Sequence, residues 1–145
     1  EIQSDPFQVA KYLILDQGAA VLITLDTRLE FWGGLCHGCS PVRQSIFELG
    51  RSGVWVEEAS RHRKLVEAWI REDIEMLREA QAAGRDGGVG NAALNLYLDA
   101  ESAGQAARYR DTVKRALGEI GWKRIIEMLD RAERLKCRLV DVKEE

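Results

Sequence analysis

Proline and histidine are scarce in this 145-residue sequence, with two of each, and no long apolar run is present. The longest, "AAVLITL" at 19–25, is far shorter than the ~20 residues a membrane-spanning helix needs. Two histidines, His37 and His62, leave no Ser/His/Asp order to argue and no His-x-x-x-His pair for a metal. Charge of one sign is lacking too: the net charge of −3 excludes a general polyanion binder. Cysteine is sparse and odd in number, three in all, which speaks against a secreted disulfide framework. The opening "EIQSDPF" carries acids where a secretory leader carries bases, so the expected setting is cytoplasmic, intracellular and reducing.

What is present is the composition of a soluble globular chain, 46% apolar and 31% charged, with enough length for a core that needs no staples. The expected fold is α+β and helix-dominated: a short N-terminal β-hairpin or strand pair packed against a bundle of about five helices. Ser4, Asp5 and Pro6 resemble a helix start, and Gly18 a stop. "AAVLITL" reads as a buried strand, with "LEFW" at 29–32 as its hairpin partner. Ser40–Pro41 restarts a short helix to Leu49, closed by Gly50 and Gly53. Val54–Ala83 carries a helical stripe of Val66, Trp69, Ile70, Ile74 and Leu77. Glycines make 83–91 a loop. Residues 94–98 suit a helix, although Leu94, Leu96 and Leu98 also alternate as in a strand. Helices are expected at 105–119 and 122–136, separated by Gly121, and a last strand at 137–142. The chain is thus read as one domain, 1–145. Within it, 1–53 holds a helix, the β element and a cysteine corner, and 54–136 is the helical part.

That corner, "LEFWGGLCHGCSPVRQ", holds Cys36, His37 and Cys39. Cysteines at the mouth of a helix feel its positive end, which favours the thiolate. Phe31–Trp32, Cys36, Cys39 and an amphipathic helix resemble the strand–Cys-x-x-Cys–helix of the thioredoxin-like family. The resemblance covers about twenty residues and implies a thiol-redox role, with Cys36 as nucleophile and Cys39 as resolving thiol. It departs from the family in having no proline after that helix, since Pro6 and Pro41 both precede it. A Cys-x-x-Cys turn is also half of a zinc site, and Cys36, Cys39, Cys137 and His62 would complete four ligands. The third reading is a tight structural corner whose sulfurs fill small gaps.

Other groups point to surfaces rather than chemistry. Glu57, Glu58, Glu67, Glu72, Asp73 and Glu75 alternate with arginines and lysine, as solvated i,i+4 pairs do. "GRDGGVGN" lacks the Gly-Lys-Ser/Thr ending of a phosphate loop. Charge is split along the chain: residues 1–60 hold four Lys/Arg against eight Asp/Glu, and 105–138 hold ten against five. Arg124, Arg131 and Arg138 recur every seven residues beside Arg134, and Arg108 and Arg115 repeat that spacing upstream. Such a stripe can neutralise phosphates. Trp69 and Trp122 fall on apolar stripes, whereas Trp32 and Trp55 flank the cysteine corner as candidate anchors for a partner. Together these point to a non-enzymatic binding or regulatory module for a protein partner, with nucleic acid second and self-association compatible. No cofactor is expected; the rival is the thiol-redox or zinc protein.

Overall fold

The computed structural model describes residues 8–26, 42–84 and 86–141, with side chains over 13–26, 42–84 and 88–130. Its N-terminal half is a sheet. Val9 to Leu15 is rich in β-branched, aromatic and aliphatic residues that favour extended backbone, and Gln8–Asp16 forms strand β1 in place of the expected helix. β1 pairs antiparallel with β2, Ala19–Asp26, which matches the expected strand. The two are joined by Gln17 and Gly18, both left-handed at φ 49° and 81°. Two such residues in sequence make the turn whose twist matches that of the flanking strands. A register shift between Ala10 and Tyr12, facing Thr24 and Ile23, leaves Lys11 as an extra residue in β1.

Strand β3, Arg43–Leu49, pairs antiparallel with β2 and replaces the short helix expected after the cysteine corner. The chain then turns tightly. Gly50 N–H donates to the Val54 carbonyl at 2.9 Å, Gly53 takes φ 77°, and β4, Trp55–Glu57, pairs back on β3. The sheet order is β1-β2-β3-β4.

A 3-10 turn at Ala59–His62 leads into α1, Arg63–Ala82. Helix α2 is Asp86–Ser102 and α3 is Ala106–Asp141. The bundle of about five helices is therefore overturned: among the described residues there are three α-helices beside a four-stranded antiparallel sheet. The glycine-rich segment is mostly the first turns of α2. Its glycines cost the helix roughly 1 kcal/mol apiece, offset by complete or near-complete burial of Ala93, Leu96, Leu98 and Ala100 further along. Residues 94–98 are helical, and the expected last strand is instead part of α3. The break in α3 falls at Gly118 (φ 68°, ψ 176°) rather than Gly121.

Pleat parity divides the sheet. Val21, Ile23 and Ile46 point to the inner face and form one core with Val66, Trp69 and Ile70 of α1. Helix α2 is the central element, packed on α1, α3 and β3. Tyr97 meets Trp122 edge-on at 5.2 Å and 87°, fastening α2 to α3. On the outer face, Leu13, Leu22, Phe47 and Glu57 form one cross-strand row. Leu15 with Ala20, and Leu49 with Trp55, form the next.

Candidate functional site

At one end of the inner face the β1–β2 turn, β3 and the 3-10 turn converge on His62. Asp16 and Glu48 reach inward because they share parity with Ile14 and Val21. The ring is only 2% exposed, with Nδ1 2.6 Å from Asp16 Oδ2 and Nε2 3.1 Å from Glu48 Oε2. A doubly protonated ring has one N–H for each carboxylate. The hydrogen bond from His62 holds the Asp16 carboxyl below its ordinary range, despite the opposing effect of burial. Arg61 Nη1 adds a rim contact to Glu48 Oε1 at 2.8 Å, and Gln17 Nε2 donates to the Arg61 carbonyl at 3.0 Å. The carboxylates lie on opposite edges of the ring, so they clamp it rather than converge with it on a common point.

A second acidic centre lies between α1 and α2. Asp73 and Asp99 are 5% and 3% exposed and their carboxyl groups face one another across the helix pair. Burial, reinforced by the Asp99 charge and hydrogen bond, pushes the Asp73 carboxyl up to about 8, so it keeps its proton at neutral pH. Asp73 Oδ2 has no hydrogen-bond partner. β3 closes the seam from the sheet side: Gln44 Nε2 donates to Asp99 Oδ2 at 3.5 Å, and Val42 N–H to Asn95 Oδ1 at 3.4 Å. Arg43 Nε donates to Ser102 Oγ at 3.4 Å.

One turn from Asp99, Asn95 opens into a groove of about 420 Å³ between α1 and α2, lined also by Met76, Glu79, Ala80 and Asn91. The outer face of the sheet is the other distinctive surface. Leu13, Leu15 and Leu49 are 62%, 81% and 42% exposed there, and Trp55 and Phe47 are half-buried beside them.

The residues singled out from the sequence are dispersed. Trp32, Cys36, His37 and Cys39 lie outside the described residues. Of the helix expected from Ser40 to Leu49, the described residues Arg43–Leu49 form strand β3 instead, which removes the amphipathic helix on which the thioredoxin-like resemblance rests. Cys137, Arg131, Arg134 and Arg138 fall on the α3 backbone, their side chains outside the described residues. Among the described residues no group of three His, Cys, Asp or Glu is poised for a metal. Arg108, Arg115 and Arg124 are exposed; Arg108 sits 5.3 Å over the Tyr109 ring and Arg115 Nε donates to the Asp111 carbonyl at 3.2 Å. Trp69 and Trp122 are core residues.

Asp73 departs from the expected solvated row, of which Arg63–Glu67 at 3.4 Å is a true i,i+4 pair. The sequence does carry a signal for it. Asp73 completes the spacing of Val66, Trp69, Ile70 and Leu77, and Asp99 ends the apolar "LNLYL". An acid on a buried stripe is the informative observation. Asp16, Glu48 and Asn91 give no comparable sign. Among the described residues no helix is long and apolar enough to cross a membrane. No protein-family model matches the chain, nor does any curated protein or solved structure.

Proposed function

We propose that the chain is a non-enzymatic binding module, working in the reducing cytoplasm, that docks a protein partner on the outer face of its sheet. The observation that supports this is the leucine surface there: Leu15 at 81%, Leu13 at 62% and Leu49 at 42% exposure, on adjoining cross-strand rows. Fully covering one such side chain is worth about 1.5–3 kcal/mol, and Leu22 between Leu13 and Phe47 is already packed at 8% exposure, a firm floor beneath them. Half-buried Trp55 adds the residue type that anchors interfaces, and Glu57 and Arg51 provide a polar rim. The His62 clamp holds the β1–β2 turn and β3 in fixed relation, so the surface is preorganised.

The test places a photo-crosslinking residue at position 15, or at exposed Arg78 as control, in cells that express the full chain. A discrete adduct from position 15, absent from Arg78 and lost on Leu13→Lys, supports the reading. An adduct of twice the chain mass identifies the partner as a second copy. Adducts identical at both positions, or none, defeat it. Retention on a phosphate resin that collapses with modest salt and with Arg124→Glu would instead favour the nucleic-acid reading through Arg108, Arg115 and Arg124.

A further inference from the structure

Within the docking surface proposed above, Leu15 holds a distinct position. The β2–β3 ladder starts at Val21 opposite Glu48, so Ala19 and Ala20 have no partner on β3. The hairpin tip from Leu15 to Ala20 therefore stands beyond the third strand. Ile14 and Ala19 seat it on the core from the inner side. Among the described residues its polar ties to the body both run to the 3-10 turn. Asp16 Oδ2 lies 2.6 Å from His62 Nδ1, and Gln17 Nε2 donates to the Arg61 carbonyl at 3.0 Å.

Each ring contact needs a proton, and histidine is the side chain whose charge changes within the physiological range. The doubly protonated ring gives one N–H to Asp16 and one to Glu48. With one proton gone, a bare lone pair faces a carboxylate in a buried site, and the two repel. Glu48 cannot withdraw: its backbone is paired to β2 and β4, Arg61 holds its other oxygen at 2.8 Å, and its side chain is 14% exposed. Asp16 can, being 31% exposed on a tip without a β3 partner. Its carboxyl, held below the ordinary range by the His62 hydrogen bond and favoured also by Lys64 of α1, stays ionised meanwhile. The other charges nearby are engaged elsewhere. Arg63 turns to Glu67, Glu58 accepts from the Ser60 hydroxyl, and Glu57 of β4 lies on the outer face.

We propose that the His62 ring is a proton-operated latch on the hairpin tip: charged, it fastens Asp16 and sets Leu15 in the docking surface; neutral, it releases the tip. The latch stands on the clamp geometry alone, and its control over docking rests on the surface proposed above.

The test follows the isotope-labelled full chain by NMR from about pH 5 to about pH 9, reading the His62 ring nitrogens, the Leu15 methyls and the Gly18 amide. The Leu15 and Gly18 signals should move with the midpoint of the ring, and Gly18 should gain mobility on the alkaline side. Leu98, buried in α2, should stay still. Asp16→Asn keeps a tie in both states, because its carboxamide accepts from a ring N–H and donates to a ring lone pair. Its Leu15 movement should shrink by about threefold or more. A ring that holds one protonation state across the range overturns the latch. So do tip signals that ignore the ring, or that follow it equally in Asp16→Asn. Docking is read separately, from the position-15 adduct in cells clamped by ionophore at about pH 6 and about pH 8. A yield lower by about threefold or more at the higher pH is expected, and equal yields overturn the control over docking. No adduct at either pH defeats the docking surface itself, while the resonances still decide the latch.

Discussion

The molecule packs carboxylates in two places, half-buried at one and fully buried at the other, and treats them differently. At the sheet end, Asp16 and Glu48 share the ring of His62, with Arg61 at the rim. In the helix seam, Asp73 faces another acid and meets the cost of burial by holding its proton. One centre holds its carboxylate by a hydrogen bond from the ring and the other neutralises its acid, so the pKa shifts run in opposite directions. The lesson is that the same residue type answers both to its burial and to what faces it. The clamp joins three chain segments distant in sequence, whereas the seam joins two helices consecutive in the chain.

The largest expected effect breaks the clamp. His62→Leu leaves two carboxylates facing each other with the central donor gone, and should cost about 3 kcal/mol in urea unfolding at neutral pH. A cost under about 1 kcal/mol would mean that the ring is only filler.

Asp73→Asn sharpens the contrast, because it should stabilise. The folded Asp73 value lies well above its ordinary 3.8, so the stability tied to its proton is complete below 3.8 and drains away as pH climbs through about 8. Relative to Asp73→Asn, the wild type should lose ground in thermal unfolding steadily between about pH 4 and 8, by up to about 1.4 kcal/mol per pH unit, and level off above that. Parallel melting curves across that range would contradict a raised carboxyl.

Asp16→Asn should act on the opposite limb. Its folded value is lowered, so its contribution is present above 3.8 and is lost as pH falls through the folded value. The variant should cost about 1 kcal/mol at neutral pH, and this deficit should vanish in strong acid, as read by acid-titrated circular dichroism. The smallest effect belongs to the rim. Arg61 is 67% exposed in its pair with Glu48, and Arg61→Ala should shift stability by no more than about 0.5 kcal/mol. A larger loss would extend the clamp to four residues.

Legibility tracks the strength of local pattern. α1 shows its 3.6-residue stripe and appears where that stripe lies, and β2 is plain as a β-branched run. β1 is masked because Ser4–Asp5–Pro6 imitates a helix start and Gly18 a stop. The better signal is "DQGA" between two extended runs, a hairpin turn rather than a terminus. The Gly-rich start of α2 is hidden because its helicity comes from burial on α1 and α3, which local propensity cannot report. The acidic centres are half visible: Asp73 and Asp99 sit on apolar patterns, while the partners of His62 come from strands forty-six and fourteen residues away.

The extra residue at Lys11 has a further effect on how safely the molecule can display bare leucines. Among the described residues β1 is the longer of the two edge strands, a place where a second copy could zip on and begin a fibre. Lys11 puts the two halves of that rim out of phase, so a stranger zipping along it loses step midway. Growth sideways from β1 is discouraged while approach from above stays open.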